Sequence, residues 1–127
     1  MARILVVDDL PEVARSIARM LGDHETSMET DPRRAVSRVV DGECFDVVLV
    51  DYNMPDMSGR EVSDALNDAH LERPPIVLIM SGRENVESLF ATGRAVLIKP
   101  FAGDELRDLV SAMLHDEAAL SHHHPHA

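Results

Sequence analysis

Acidic, hydroxyl and ammonium side chains stand directly after short apolar runs in this sequence. They are Asp8 and Asp9 after the first run, Asp51 after the second, Ser81 after the third and Lys99 after the fourth. Lys99 is the only lysine of the chain, and arginine takes the place of lysine everywhere else. A lysine ammonium is a compact charge suited to one phosphoryl or carboxylate oxygen, whereas the planar guanidinium suits two at once. The lone lysine therefore predicts a site residue.

These side chains have a common chemistry if the fold brings them together. Three crowded carboxylates repel one another and favour a hard divalent cation with oxygen ligands, of which Mg²⁺ is the best candidate. An added hydroxyl and ammonium make the site complementary to a phosphoryl group, because Lys99 neutralises one oxygen while Ser81 donates a hydrogen bond to another. An aspartate can accept a phosphoryl group covalently. Its position favours Asp51 for that role.

The apolar runs before these residues predict the central strands of a parallel sheet. They are continuous rather than alternating, as strands buried on both faces are. They cover residues 4–7, 47–50, 76–80 and 96–98. Segments with helical spacing separate them, and residues 24–30 predict a weaker edge strand.

Helix-start signals agree with this division of the chain. Asp31-Pro32 offers an N-cap followed by proline, and Ser58 and Glu61 have the capping-box spacing. The prediction is a doubly wound α/β fold of five strands and five helices. Ligands bind at the carboxyl ends of the strands in such a sheet, so the polar residues that follow the strands are expected to converge there.

Composition limits the class of protein and of partner. With 127 residues, of which 45% are hydrophobic, the chain can bury a core without metals or disulfides. The single cysteine, Cys44, fits a reducing compartment such as the cytoplasm and is expected to be a small core residue. The net charge of −11 opposes direct binding to nucleic acid or anionic lipid. No apolar run approaches the roughly 20 residues of a membrane span.

One domain is expected over residues 1–116, without an internal repeat or a linker. The helical spacing of apolar residues stops after Leu114, and the chain ends on a histidine-rich segment, residues 121–127. Residues 117–127 are therefore predicted to form a disordered histidine-rich tail.

The motifs resemble those of a response-regulator receiver domain, the phosphoacceptor module of bacterial two-component signalling. The resemblance covers about residues 3–114, and its matched motifs are Asp8-Asp9, the segment DYNMPDMSG at 51–59, Ser81-Gly82 and Lys99-Pro100-Phe101. It implies a flavodoxin-like (βα)5 fold with strand order 2-1-3-4-5. It also implies a signalling domain rather than an enzyme, with only Mg²⁺-dependent self-phosphorylation and autodephosphorylation.

The resemblance implies that Asp51 accepts a phosphoryl group from a histidine kinase or phosphotransfer protein. Mg²⁺ would be held by Asp9, Asp51 and the backbone carbonyl of Asn53, with Asp8 assisting through water. Output would pass by contact with a downstream protein that the sequence does not identify.

Further roles follow from the same resemblance. Ser81 and Lys99 would contact the phosphoryl oxygens, and the bond between Lys99 and Pro100 would be cis. The side chains of Asn53 and Arg83 would influence how fast the aspartyl phosphate hydrolyses. Gly82 would leave room for the phosphoryl group or its donor.

Two features depart from the family pattern. Typical receivers have tyrosine or phenylalanine at the position of Val96, and the inward rotation of that ring reports phosphorylation to the output face. A valine cannot make this movement, so Val96 is an atypical switch residue. The interval from Ser81 to Lys99 is about one helical turn short, which predicts a shortened fourth helix over residues 83–91.

Two alternative functions stay open. A pseudo-receiver would work as an interaction module largely without phosphorylation; Val96 and the short fourth helix favour it, whereas the complete acidic pocket opposes it. A phosphatase of the haloacid-dehalogenase type also places a nucleophilic aspartate after a parallel strand. That family has a second aspartate two residues later, where this chain has Asn53. Whether the domain stands alone or belongs to a larger hybrid protein is also open.

Overall fold

Five parallel strands form one sheet in the order β2-β1-β3-β4-β5. The computed structural model describes the backbone of residues 1–123 and the side chains of residues 1–115. The strands are β1 (Arg3–Val7), β2 (Glu25–Glu29), β3 (Val47–Asp51), β4 (Ile76–Ser81) and β5 (Ala95–Ile98). The predicted doubly wound fold and its strand order are confirmed.

Helices cover both faces of the sheet. They are α1 (Pro11–Met20), α2 (Pro32–Val40), α3 (Gly59–Asp68), α4 (Val86–Ala91) and α5 (Gly103–His123). Ile4 and Val6 of β1 face the core under α1 and α5, while Leu5 and Val7 face the core under α2, α3 and α4. Both sets of side chains are buried, which explains why the central strands are apolar without alternation.

The helix starts that the sequence marks are present. The Asp31 carboxylate accepts hydrogen bonds from the backbone N–H groups of Arg33 and Arg34, at 3.0 and 3.4 Å. Ser58 and Glu61 form a complete capping box at the start of α3. Each cap stabilises its helix by about 1 kcal/mol, and the second anchors α3 directly after the loop that follows β3.

The fourth helix is short. α4 has six residues, against nine or ten in α1, α2 and α3, and a single 3-10 turn at Arg83–Asn85 precedes it. The short interval between β4 and β5 leaves no room for more, in agreement with the sequence. The exposed aromatic ring of Phe90 lies on this helix.

Cys44 is exposed, so its predicted place in the core was wrong. It lies in the turn before β3, and the neighbouring Phe45 takes the buried position there. A phenylalanine ring removes more apolar surface from water than a cysteine side chain, which accounts for the exchange.

Helix α5 continues without a break past residue 116, where the sequence placed the end of the domain, and reaches His123. Residues 124–127 of the predicted histidine-rich tail lie outside the described residues. Within residues 1–123, no helix combines the length and the apolar character that crossing a bilayer requires.

Candidate functional site

Three carboxylates meet at the carboxyl edge of the sheet. Asp8 and Asp9 follow β1, and Asp51 ends the neighbouring strand β3. One oxygen atom from each lies within 4.8 Å of an oxygen of the other two. Asp8 is 1% exposed and Asp51 is 7% exposed. Negative charge is therefore concentrated at a site where two of the three carboxylates are buried.

Asp8 is only partly satisfied by the protein. The backbone N–H of Leu10 donates to its Oδ1 at 3.0 Å, whereas its buried Oδ2 has no hydrogen-bond partner. Burial is the main cause that raises the pKa of Asp8; the Leu10 N–H opposes the shift, and the charge of Asp51 adds to it. A buried carboxylate oxygen without a donor is costly. The three oxygens therefore fit a hard divalent cation, which accepts such ligands.

Lys99 reaches this pocket from β5. Its ammonium donates to Oδ1 of Asp51, and its peptide bond to Pro100 is cis. Its backbone N–H also donates to the Ser81 carbonyl at 2.8 Å. This hydrogen bond holds the end of β5, which carries Lys99, next to the end of β4, which carries Ser81. Of the three acids, Asp51 is the one that Lys99 contacts.

Ser81 is buried at the end of β4, but its hydroxyl is directed at its own loop. The Oγ donates to the carbonyl of Gly82 at 3.0 Å. Donation to a ligand at Asp51 would require the hydroxyl to leave that carbonyl. The hydroxyl is thus at the expected edge of the sheet and is engaged elsewhere.

The loop after β3 folds back closely over the strand end. A Cβ atom on Gly59 would lie 2.7 Å from the carbonyl oxygen of Asp51, so only glycine allows this approach. The Gly59 N–H donates to the Tyr52 carbonyl at 3.0 Å and fixes the return of the chain. Asn53 lies exposed in the same loop, two residues after Asp51.

The loop after β4 holds an acidic side chain that the sequence did not mark. A Cβ atom on Gly82 would lie 2.6 and 2.7 Å from the two carboxylate oxygens of Glu84. The room that glycine leaves beside Ser81 is therefore taken by this carboxylate. An acid in the first turn of a helix is common, so nothing in the sequence distinguishes Glu84. The neighbouring Arg83 is exposed.

The family model of the response regulator receiver domain matches residues 4–111. The chain belongs to this family. Receiver domains are signalling domains of two-component systems that accept a phosphoryl group on an aspartate. Family membership removes the dehalogenase-type phosphatase from consideration.

Similar proteins include longer regulators and isolated receivers. The transcriptional regulatory protein TcrA of Mycobacterium tuberculosis is 34% identical over 108 residues, covering 82% of this chain and 42% of TcrA. The chemotaxis response regulator CheY4 of Vibrio cholerae has a TM-score of 0.74 and 28% identity, covering 88% of this chain and 98% of that one. TrrA of Thermotoga maritima, solved in complex with Mg²⁺-BeF, has a TM-score of 0.77 and 25% identity, with the same coverage of 88% and 98%. This receiver spans less than half the length of TcrA.

Val96 of the receiver lies away from the acidic pocket. It pairs in register with Ile79 of β4 and is half-buried against the core under α2, α3 and α4. Its side chain thus lies at the margin of that core.

An apolar groove of about 730 Å³ opens beside the pocket of the receiver. One wall is α1, with Val13, Ile17 and Met20, and the other is formed by the residues that follow β5. Lys99 belongs to both the groove and the pocket, so the groove leads directly to the partner of Asp51.

Proposed function

We propose that this receiver is a phosphorylation-controlled switch in which Asp51 accepts the phosphoryl group. The observation that supports this choice among the three acids is the contact between the lone lysine and Asp51. Asp8 receives the Leu10 amide instead. Asp51 also stands at the end of the middle strand, between β1 and β4.

The proposed donor is a phosphohistidine of a histidine kinase or a phosphotransfer protein. A carboxylate oxygen of Asp51 attacks phosphorus, a P–O bond forms, and the P–N bond breaks with its electron pair going to the departing imidazole. The Lys99 ammonium balances charge on a phosphoryl oxygen, and the Ser81 hydroxyl turns from the Gly82 carbonyl to donate to another.

Mg²⁺ is the cation we propose for the acidic pocket. Asp9, Asp51 and the backbone carbonyl of Asn53 would hold it directly, and Asp8 would assist through water. The unpartnered Oδ2 of Asp8 supports this assignment, since it needs a donor or a cation. When bound, the ion supplies positive charge for the phosphoryl oxygens. The TrrA structure, which contains Mg²⁺-BeF, is similar to this chain.

The groove between α1 and the residues after β5 is the surface we propose for the phosphodonor protein. Its apolar walls suit an apolar face of a partner, and its opening at Lys99 places that partner beside Asp51. Output is proposed to pass to a downstream protein, because the net charge of −11 disfavours direct contact with nucleic acid.

Asn53, Gly82 and Arg83 are proposed to modulate the lifetime of the phosphoryl group. Each lies in a loop that borders the pocket, after β3 or after β4, and the side chains of Asn53 and Arg83 are exposed. Exposed polar groups at this edge can admit or exclude the water that hydrolyses an aspartyl phosphate.

The test compares the wild type with Asp51→Asn in the presence of Mg²⁺ and acetyl phosphate. We expect the wild type alone to gain the mass of one phosphoryl group. Beryllofluoride, a phosphoryl mimic, should then shift the amide resonances of Asp9, Ser81 and Lys99 in the wild type only. Equal phosphorylation of both proteins would reassign the acceptor, and no response in the wild type would favour an interaction module that works without phosphorylation.

A further inference from the structure

Glu84 is an exposed acid whose carboxylate lies beside Gly82, in the loop after β4. It packs against the backbone of Gly82, where a Cβ atom would be 2.6 Å away. Among the side chains of residues 1–115, none forms a salt bridge or a hydrogen bond with it. Its negative charge therefore has no direct partner in the described part of the protein.

The register of the sheet gives the backbone distance between Gly82, beside which this charge lies, and the acceptor Asp51. Asp51 pairs with Met80, and Gly82 is two residues further along the chain. With strands about 4.8 Å apart and a rise of about 3.3 Å per residue, Gly82 lies roughly 8 Å from Asp51. This is within one Debye length at physiological salt, about 8 Å. At low ionic strength, where the Debye length is longer, a charge beside Gly82 is close enough to act on an anion that approaches Asp51.

Glu84 also lies beside Gly82, the residue whose carbonyl accepts from the Ser81 hydroxyl. That hydroxyl donates to the Gly82 carbonyl, and the Ser81 carbonyl in turn accepts from Lys99. The acid is thus adjacent to the loop that carries Ser81, one of the residues proposed to contact the phosphoryl oxygens. A side chain at position 82 would displace the Glu84 carboxylate from this place.

This inference rests on the proposed function. We propose that Glu84 is a specificity-determining residue that repels free anionic phosphodonors and so favours a phosphoryl group delivered by a docked protein. A small donor such as acetyl phosphate must bring its own negative charge past Glu84. A protein donor offsets the same repulsion with the contacts that it makes elsewhere on the surface.

The chemical step with a small donor is the same attack by Asp51. A carboxylate oxygen of Asp51 forms a P–O bond with acetyl phosphate, the bond from phosphorus to the acetyl oxygen breaks, and acetate departs with the electron pair. Glu84 takes no part in bond making. It alters the local concentration of the donor and the energy of the approaching anion.

The experiment measures the rate of Asp51 phosphorylation in the full chain carrying Glu84→Gln. The matched control is Glu87→Gln, which removes the same charge from an exposed position on α4. At low ionic strength and with acetyl phosphate, we expect Glu84→Gln to be about two- to five-fold faster than the wild type, and Glu87→Gln to change little. Glu84→Lys should be faster still.

Two further measurements distinguish an electrostatic role of Glu84 from a structural one. The gain in Glu84→Gln should shrink as salt is raised, because screening weakens the repulsion. The gain should also be smaller with phosphoramidate, whose net negative charge is lower than that of acetyl phosphate. A change in loop structure would persist in salt and would not follow the charge of the donor.

The outcomes distinguish this inference from the function on which it rests. If the wild type is phosphorylated at Asp51 and Glu84→Gln has the same rate at low salt, only the role of Glu84 is wrong. Equal acceleration in Glu84→Gln and Glu87→Gln also overturns it, since net charge alone would then explain the rate. If the wild type accepts no phosphoryl group from either donor, the proposed function fails and this inference fails with it.

Discussion

Two buried acids at neighbouring strand ends differ in how the protein satisfies them. Glu29 at the end of β2 is 8% exposed and Asp8 after β1 is 1% exposed, and the Asp8 N–H donates to the Glu29 carbonyl at 3.1 Å. The Glu29 carboxylate has Arg38 at 3.5 Å, Arg34 at 3.9 Å and the Asp31 N–H at 3.2 Å. The Asp8 carboxylate accepts one hydrogen bond, from the backbone N–H of Leu10, and its second oxygen has no hydrogen-bond partner.

The difference separates a structural acid from an acid that is available for a ligand. Arg38 also binds Glu43 through two hydrogen bonds, at 2.7 and 3.1 Å, and its guanidinium lies 5.6 Å from the Phe45 ring centre. The charges around Glu29 are thus balanced within the fold. Around Asp8 three carboxylates face the single ammonium of Lys99, so the net negative charge there is unfavourable in the fold and would be offset by a bound cation.

Asp8→Asn gives the largest expected effect, because it changes both the proposed Mg²⁺ affinity and the stability of the metal-free fold. Loss of the carboxylate should weaken Mg²⁺ binding by about 10- to 100-fold. Without metal, the same change should stabilise the fold by about 1 kcal/mol, since it removes a buried charge next to Asp51. Amide shift titration with Mg²⁺ and denaturant unfolding measure the two quantities. A loss of both stability and affinity would contradict the comparison.

Glu29→Gln should do the opposite. Removing the charge leaves the Arg38 and Arg34 guanidiniums without their shared partner, and stability should fall by about 1–2 kcal/mol, a value lowered by the partial exposure of both arginines. Mg²⁺ affinity should stay within about two-fold of the wild type because Glu29 is not one of the three clustered acids. Denaturant unfolding measures the change in stability of Glu29→Gln, and the Mg²⁺ titration measures its affinity as the control. A large loss of affinity would place Glu29 in the site.

The pH dependence of stability gives the smallest and most direct contrast. Burial raises the pKa of Asp8, so its unfavourable contribution is absent below the ordinary aspartate pKa and appears as pH rises through the raised value. The Arg38 hydrogen bond lowers the pKa of Glu43, so its favourable contribution is present above the ordinary glutamate pKa and disappears as pH falls through the lowered value. The two slopes have opposite signs.

Unfolding free energies measured in the absence of Mg²⁺ over the acidic range test this contrast. Asp8→Asn should remove the loss of stability on raising pH, and Glu43→Gln should remove the loss on lowering it. If both substitutions changed the profile in the same direction, the distinction between a region of net negative charge and a region of balanced charge would be wrong.

Much of the fold and of the pocket was predictable because both depend on short-range patterns. Continuous apolar runs require strands with two covered faces, and parallel strands bring their carboxyl ends to one edge. Asp8, Asp9, Asp51 and Lys99 follow such runs directly, so their meeting needs no knowledge of the loops. The short α4 follows in the same way from the small number of residues between β4 and β5.

Side-chain directions and loop paths were not predictable from the sequence. They depend on contacts between residues that the hydrophobic pattern does not show to be neighbours. The Ser81 hydroxyl donates to its own loop, and the exposed position of Cys44 depends on the burial of Phe45. The clustering of two arginines on Glu29 requires the packing of α2 against the end of β2.

The sequence by itself determined the number of strands, the edge that holds the site and the residue types found there, because hydrophobic periodicity and strand ends are local properties of the chain, whereas the order of the strands followed only from the family resemblance. Only the tertiary structure decided which acid is satisfied and which is left bare. It also decided that Glu84 occupies the space over Gly82. Those features depend on hydrogen-bond donors and on free space that other parts of the chain supply. These parts come together only when the cores on both faces of the sheet have packed.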